Sequence, residues 1–337
     1  MMISFVIPLY NAEKTIGRTL ESLKAVEYEN FEVIVVDDCS TDSSAEIVKK
    51  YDCQLVSSEK KLGAAVARNL GVERARGDII FFIDSDILVK SDCATRVERT
   101  FKENEDVVAV VGILSKDNPF DNFSSQYKNL HMHFYMKNMP RNISCIYTSV
   151  TAVRSETFKE VGFFDSKTCR VCSASVEDID LGQRIADAGH KIMLDPELQV
   201  VHLRNFSLKG LISNDFRRAI DWSLLFFQKN GLMRSLKDGI FAYLPVSAIL
   251  GTILSPFILL SIIIFFMTMH YLFFGIFVLL GMTFLLLNSS FLFFLMKVKG
   301  GIFFIKAVIF LYSDNIIAIT GSLIGLLITI CSRRRVS

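Results

Sequence analysis

Asp84 and Asp86 stand one residue apart at the end of the run Ile79-Ile80-Phe81-Phe82-Ile83. Five large apolar residues without a break fit a strand buried on both faces of a parallel sheet. In open α/β sheets, ligands sit beyond the carboxyl ends of the strands. Two acids there can divide the work. One accepts a hydrogen bond from a ribose or a base. The other ligates a hard divalent cation, since Mg²⁺ usually takes one or two carboxylates plus phosphate oxygens. Asp-x-Asp also suits an N-cap or a turn before a helix, so the pattern alone decides little.

Two further acidic groups follow strand-like or helix-like stretches. Phe31 to Val36 reads as a second buried strand and runs into Asp37-Asp38-Cys39-Ser40-Thr41-Asp42. Capping of the next helix by Thr41 or Asp42 leaves Asp37 and Asp38 for a nucleoside. Glu177-Asp178-Ile179-Asp180 opens a helix patterned on Leu181, Ile185 and Ala188, with Gly189 as its stop. The helix dipole favours acids there whether or not they do chemistry. Asp180 either caps that helix or pairs with Arg184 at i,i+4. Between these groups lies Lys61 to Gly71. Gly63 lets backbone approach a ligand, and the helix start after it favours anions. Arg68, one turn in, is placed to reach a phosphate or to salt-bridge the acid loops. As an ordinary amphipathic helix the same segment would turn Val66 and Leu70 inward.

The elements that carry these residues alternate. Ser4 to Pro8 reads as the first strand, with pairing expected to stop at Pro8, which lacks a ladder donor. Asn11 is placed to cap a helix built on Ile16, Leu20 and Leu23. Gln54 to Ser57 is a third strand. Strand and helix thus alternate from Ile3 to Asp86, which predicts a parallel, doubly wound sheet. Beyond it, Asp92 to Glu103 reads as a helix and Val107 to Val111 as a strand. Ser115 to Arg141 is helix-like, with Tyr127, His131, His133, Phe134 and Tyr135 mostly packed. Cys145 to Arg154 reads as a strand, as does Lys191 to Leu194, with His202 following.

Val6-Ile7-Pro8-Leu9-Tyr10-Asn11-Ala12-Glu13, the Asp37 to Asp42 loop, Gly63 to Gly71 and Asp84-Ser85-Asp86 resemble, in order, the motifs of family 2 glycosyltransferases. Val161-Gly162-Phe163-Phe164-Asp165 is similar to the family's Gly-Gly-Phe-Asp segment, with Val161 in place of the first glycine. The resemblance covers about Met1 to His202. It implies the GT-A fold: an α/β, Rossmann-like, mostly parallel sheet with flanking helices. It also implies inverting, metal-dependent transfer from a nucleotide diphosphate sugar. Asp38 and Asp84 would then hold the nucleoside, with Pro8, Asp37, Gly63, Arg68 and Ser85 lining the donor site. Asp86 would hold Mg²⁺ or Mn²⁺ at the diphosphate, and His202 is a further metal candidate. Asp178 would be the base that deprotonates the acceptor hydroxyl, with Glu177 a neighbouring acceptor contact.

The 337 residues divide sharply. From Gly239 to Met296 there is no Asp, Glu, Lys or Arg, which suits a pair of membrane helices. Ile302 to Ile330 adds a third span, or a hairpin bent near Asp314. Before Gly239 acids slightly outnumber bases, and no nucleic-acid footprint is evident. Leu208, Leu211, Ile212, Phe216, Ile220, Leu224 and Phe227 keep roughly helical spacing against a basic polar face that includes Arg217, Arg218, Lys229, Arg234 and Lys237. Such a helix lies at the headgroup level. The expected domains are a catalytic domain over 1–204, interface helices over 205–238 and a transmembrane region over 239–337. No targeting segment opens the chain, so the catalytic domain is expected in the cytosol at a multi-pass plasma membrane protein. Seven scattered cysteines fit reduced thiols, and Cys169-x-x-Cys172 has no second pair for zinc. The expected acceptor is a lipid carrier or a lipid-linked glycan. Processive polysaccharide synthases carry a Gln-x-x-Arg-Trp motif, which Arg217 to Trp222 does not supply. An inactive membrane scaffold is the remaining alternative.

Overall fold

The computed structural model describes residues 1–165, 176–228, 240–241 and 244–333. Cys169, Cys172, Lys229, Arg234 and Lys237 lie outside the described residues. The described residues fall into two compact units. The first lies within Met1–Asp121, Met136–Arg170 and Ser175–Asn205, and the second within Asn122–Tyr135 and Phe206–Ser337.

The first unit is built on one mixed sheet. In chain order its strands are β1 (Ile3–Leu9), β2 (Phe31–Asp37), β3 (Gln54–Ser57), β4 (Ile79–Ile83), β5 (Ile87–Leu88), β6 (Val107–Leu114), β7 (Asn142–Ile143), β8 (Val150–Arg154) and β9 (Lys191–His202). In space they run β3-β2-β1-β4-β8-β6-β9-β5, with β7 paired to β9. The β3-β2-β1-β4 half is parallel. β8 then enters antiparallel between β4 and β6, and β6 runs parallel to β9. β4 is buried along its whole length, as an unbroken apolar run requires. Phe81 stacks on Phe5 at 5.0 Å in that core.

Helices α1 (Ile16–Lys24), α2 (Ser44–Val48), α3 (Ala64–Arg74), α4 (Cys93–Glu103), α6 (Ser155–Val161) and α7 (Glu177–Asp187) flank the sheet. α3 turns Ala65, Ala67, Arg68, Gly71 and Val72 inward, while Val66 and Leu70 are only half-buried. The reason is distance: a Cβ on Gly71 would lie 2.3 Å from Val6 Cγ1, so small residues form the packed face. Pro8 ends pairing on one side only. β1 pairs with β4 as far as Val6, yet stays paired with β2 through Pro8 to Leu9. The strand expected over Cys145 to Arg154 is confined to Val150–Arg154, and the one expected over Lys191 to Leu194 continues to His202.

The second unit contains α5 (Phe123–Lys137) up to Tyr135, α8 (Leu208–Gln228), and four apolar helices over Val246–Thr268, Tyr271–Leu287, Ser289–Lys299 and Gly301–Arg333. Val246–Thr268 and Gly301–Cys331 are long and apolar enough to cross a membrane. Tyr271–Leu287 and Ser289–Lys299, bent by 66°, make a third span if taken together. No hairpin forms at Asp314, because one helix runs straight through it. α8 departs from a simple amphipathic stripe. Leu211, Ile220 and Leu224 are buried, but Leu208, Ile212 and Phe227 are exposed, while Asp215 and Asp221 are buried. α8 lies instead along Gly301–Arg333, where a Cβ on Gly321 would sit 2.8 Å from the Phe216 carbonyl and one on Gly325 2.7 Å from that of Ile220. Small residues allow this backbone approach.

α7 is held in the same way. A Cβ on Gly182 would lie 2.6 Å from both Cys145 Cα and the Ile146 nitrogen, and backbone cannot rotate aside as a side chain can. Gly182→Ala should therefore destabilise the chain by about 1–3 kcal/mol through overpacking. The measurement is a thermal melt in detergent. An unchanged midpoint would mean that α7 does not approach this closely.

Candidate active site

Strand direction assembles the site. β1, β2, β4 and β9 all point their carboxyl ends to one edge, and antiparallel β8 brings its amino end there. That edge therefore collects Pro8, Asp37 and Asp38, Asp84 to Asp86, His202, and Ser149 just before β8.

The β2 acids are already engaged by backbone. Asp38 accepts from the Leu62 nitrogen at 2.6 Å and the Gly63 nitrogen at 2.8 Å, and Asp37 accepts from the Ser40 nitrogen at 3.1 Å. Neither is free in the sense expected, although each ionised carboxylate has further lone pairs to offer. Gly63 adopts φ +92, which suits glycine, at the turn into α3. Asn11 does not cap α1. Its side chain accepts from the Thr41 nitrogen at 2.8 Å, bracing the β1 loop against the β2 loop. Asn11 at φ 49 and Cys39 at φ 63 are non-glycine residues in the left-handed region, so both loops carry backbone strain beside the site. Asp42 accepts from the Ser44 nitrogen at 3.0 Å, at the start of α2.

Asp84 and Asp86 have different partners. Asp84 accepts from Arg68 at 2.9 Å through one oxygen and from the Ser149 hydroxyl through the other. The Ser85 carbonyl accepts from the Thr19 hydroxyl at 3.0 Å, which fixes the turn between the two acids. Asp86 Oδ2 lies 3.2 Å from His202 Nε2. Pairing of Ile87 with His202, and the 2.7 Å bond from the Leu203 nitrogen to the Asp86 carbonyl, hold the two side by side. Burial raises the Asp86 carboxyl, but His202 and then Arg204 more than offset this and hold it below the usual range. A carboxylate and an imidazole in contact suit a divalent cation of the Mg²⁺ to Mn²⁺ class. Among the described residues no group of three or more His, Cys, Asp or Glu could hold a metal, so further ligands would come from phosphate and water.

Arg68 does not point to an open phosphate site. Its guanidinium is buried and bridges Asp84 and Glu177, each at 2.9 Å. Glu177 and Asp178 are themselves buried at the start of α7, and Asp178 accepts from the Ile179 nitrogen at 2.7 Å. Asp180 pairs with Arg184 at 2.9 Å rather than capping. Arg184 also donates to the carbonyls of Val161, Gly162 and Phe163. Asn69 clasps the Phe164 backbone in both directions, at 2.9 and 3.0 Å. The stretch Val161 to Phe164 thus links α3, α6 and α7. Ser149 and Asn69 had no signal as site residues, since each matters only through a partner distant in sequence.

Comparison with known proteins agrees with this architecture. The family model "Glycosyl transferase family 2" matches residues 4–162. The glycosyltransferase GlyG of Streptococcus pneumoniae is 34% identical over 127 residues, 36% of this chain and 42% of that protein. The poly-beta-1,6-N-acetyl-D-glucosamine synthase of Staphylococcus epidermidis is 33% identical over 114 residues, 33% of this chain and 28% of that protein. The match thus spans less than half the length of either relative. The mannosyltransferase PcManGT from Pyrobaculum calidifontis, solved in complex with GDP-Man and Mn²⁺, superposes with a TM-score of 0.57 at 16% identity, covering 95% of this chain and 86% of that one. That likeness concerns the fold. The ordered acid loops, the GT-A sheet and the matched residues lead to one conclusion: residues 4–162 form a glycosyl transferase family 2 domain.

Proposed function

We propose that the chain is an inverting, metal-dependent glycosyltransferase. It moves a sugar from a nucleotide diphosphate sugar to a membrane-associated acceptor, either a polyprenyl-phosphate carrier or a lipid-linked glycan. Its catalytic unit works on the cytosolic side of the plasma membrane. The carrying observation is the contact of Asp86 with His202 beside Asp84, on the edge where β1 and β2 end. The complex of PcManGT with GDP-Man and Mn²⁺ supports a nucleotide sugar and a divalent cation, and the two long apolar helices support membrane association.

In this reading Asp38 and Asp84 hold the nucleoside, with Asp37, Pro8, Gly63 and Ser85 around it. Asp86 and His202 hold a divalent cation, which when bound stabilises charge on the departing diphosphate. Arg68 keeps Asp84 in place from below and does not touch the phosphates. With a glycan acceptor, Asp178 takes the proton of the hydroxyl as that oxygen attacks the anomeric carbon, whereas a polyprenyl phosphate attacks through an already ionised phosphate oxygen and needs little base; inversion follows from a single displacement either way.

Two measurements test this reading. Asp86→Ala should abolish metal-dependent binding of a nucleoside diphosphate in calorimetry with Mn²⁺, while the melt stays near native. Equal affinity in both proteins removes Asp86 from the site. Asp178→Asn should bind nucleotide normally yet lose ~10²–10⁴-fold in transfer, the range for loss of a general base. Asp180→Asn should lose far less transfer and show its cost in the melt, because Asp180 anchors Arg184. Transfer is read as nucleotide release from UDP- and GDP-linked sugars by the full chain in lipid nanodiscs. A heavier loss in Asp180→Asn than in Asp178→Asn would overturn the assignment of the base.

A further inference from the structure

Asp84 is the first residue past β4, and its carboxylate is held at both oxygens. Arg68 donates to Oδ1 and the Ser149 hydroxyl donates to Oδ2. The arginine comes from α3. The serine comes from the residue just before β8, where the antiparallel register that pairs Ile83 with Val150 sets it opposite Asp84.

Two such bonds matter because an aspartate plane is soft. The terminal torsion of the side chain is broad, so rotamer preference alone does not aim the oxygens. A donor on each oxygen fixes the plane. An ionised carboxylate offers about four lone-pair directions, so acceptor capacity remains after both bonds are made. The Asp84 side chain is 27% exposed, and that open part is where a ligand can reach it.

Ser149 is itself held firmly. It is buried, in the turn from Tyr147 to Thr151. The Val150 nitrogen donates to the Tyr147 carbonyl at 2.9 Å. Thr151 closes the turn a second time. Its hydroxyl donates to the Tyr147 carbonyl at 2.6 Å and accepts from the Tyr147 nitrogen at 3.2 Å. The backbone carrying Ser149 is therefore set before any ligand arrives, which spares ordering cost on binding.

We propose that Ser149 is a positioning residue for donor binding: from the start of β8 it orients Asp84, so that the remaining lone pairs of that carboxylate accept from a ribose hydroxyl. This rests on the reading of Asp84 as a nucleoside contact. It gives a donor-side role to a serine that lies outside every acid loop.

The test is calorimetry on the full chain in lipid nanodiscs, with UDP and with GDP in the presence of Mn²⁺. It compares the native chain, Ser149→Ala, Asp84→Ala and the double variant. Ser149→Ala should weaken binding of the preferred nucleotide about tenfold, the size that one lost bond to a charged group supports. Its thermal melt should stay near native, because water can replace the hydroxyl at a carboxylate this exposed. In the Asp84→Ala background, Ser149→Ala should add nothing. Transfer should show the same split, with KM for the sugar nucleotide raised and kcat little changed. A merely structural serine would lower the melt and weaken binding equally in both backgrounds, and that result overturns the proposal. Should Asp84→Ala fail to fold, the 2′-deoxy and 3′-deoxy forms of the same nucleotide take its place. The native chain should bind one of them less well than the ribonucleotide, and Ser149→Ala should narrow that gap. An unchanged gap overturns the proposal. Native affinity in Ser149→Ala, with weak binding in Asp84→Ala, overturns it and leaves the donor reading of Asp84 standing. Native affinity in Asp84→Ala removes Asp84 from the donor site, and both readings fall.

Discussion

One buried cation holds the catalytic unit's acidic edge together. Arg68 joins Asp84 and Glu177, residues 16 and 109 positions away from it in the chain. Replacing one member of such a buried pair typically costs about 3–5 kcal/mol, because the partner is left charged and unpaired. The cluster is therefore kept for geometry as much as for stability. It fixes α7 relative to the strand edge, and the Phe164 ring lies beside Arg68, its centroid 5.7 Å from Cζ. Asn69 and Arg184 then secure the backbone around Phe164, so the same cation is braced from α3, α6 and α7.

The acid loop after β2 follows a different principle. Its acids are preorganised by backbone donors instead of by cations. Leu62 and Gly63 clamp Asp38, and Ser40 clamps Asp37. Carboxylates held this way keep lone pairs for a ligand and need little reorganisation when it arrives. The strained backbone at Asn11 and Cys39 fits a region whose conformation is set by its surroundings and not by local preference.

The second unit is organised by close backbone approach and a few polar contacts among apolar helices. Thr252 donates to Asn315 at 3.2 Å, and Tyr312 donates to the Ser255 carbonyl at 3.1 Å. Asn288, buried at the bend between Tyr271–Leu287 and Ser289–Lys299, donates to the Phe284 carbonyl at 2.9 Å. In lipid, backbone freed by a bend must find such partners. A charged pair also lies outside the long apolar helices, where Lys128 meets Asp215 between α5 and α8.

Much of this was legible in the chain itself. Burial on both faces dictates an unbroken apolar run, so β4 could be read from Ile79 to Ile83, and the two acids after it had to fall at a strand end. The absence of charge from Gly239 to Met296 likewise follows from what a bilayer tolerates, and a helix long enough to span one, Val246–Thr268, occurs within that region. The i,i+4 partnership of Asp180 with Arg184 is local and so could be anticipated. What tertiary structure alone decided is every partnership between distant strands and helices. Local patterning states that a residue is buried but not which neighbour buries it. Nothing in Val150 to Arg154 announces that β8 runs antiparallel, and that direction alone delivers Ser149 to Asp84. His202 reads as a lone histidine until pairing of β9 with β5 sets it beside Asp86. For Arg68 the sequence left a phosphate and a salt bridge to the acid loops equally open, because its partners belong to other elements, and those contacts exist only once the sheet has brought α3 and α7 to the same edge.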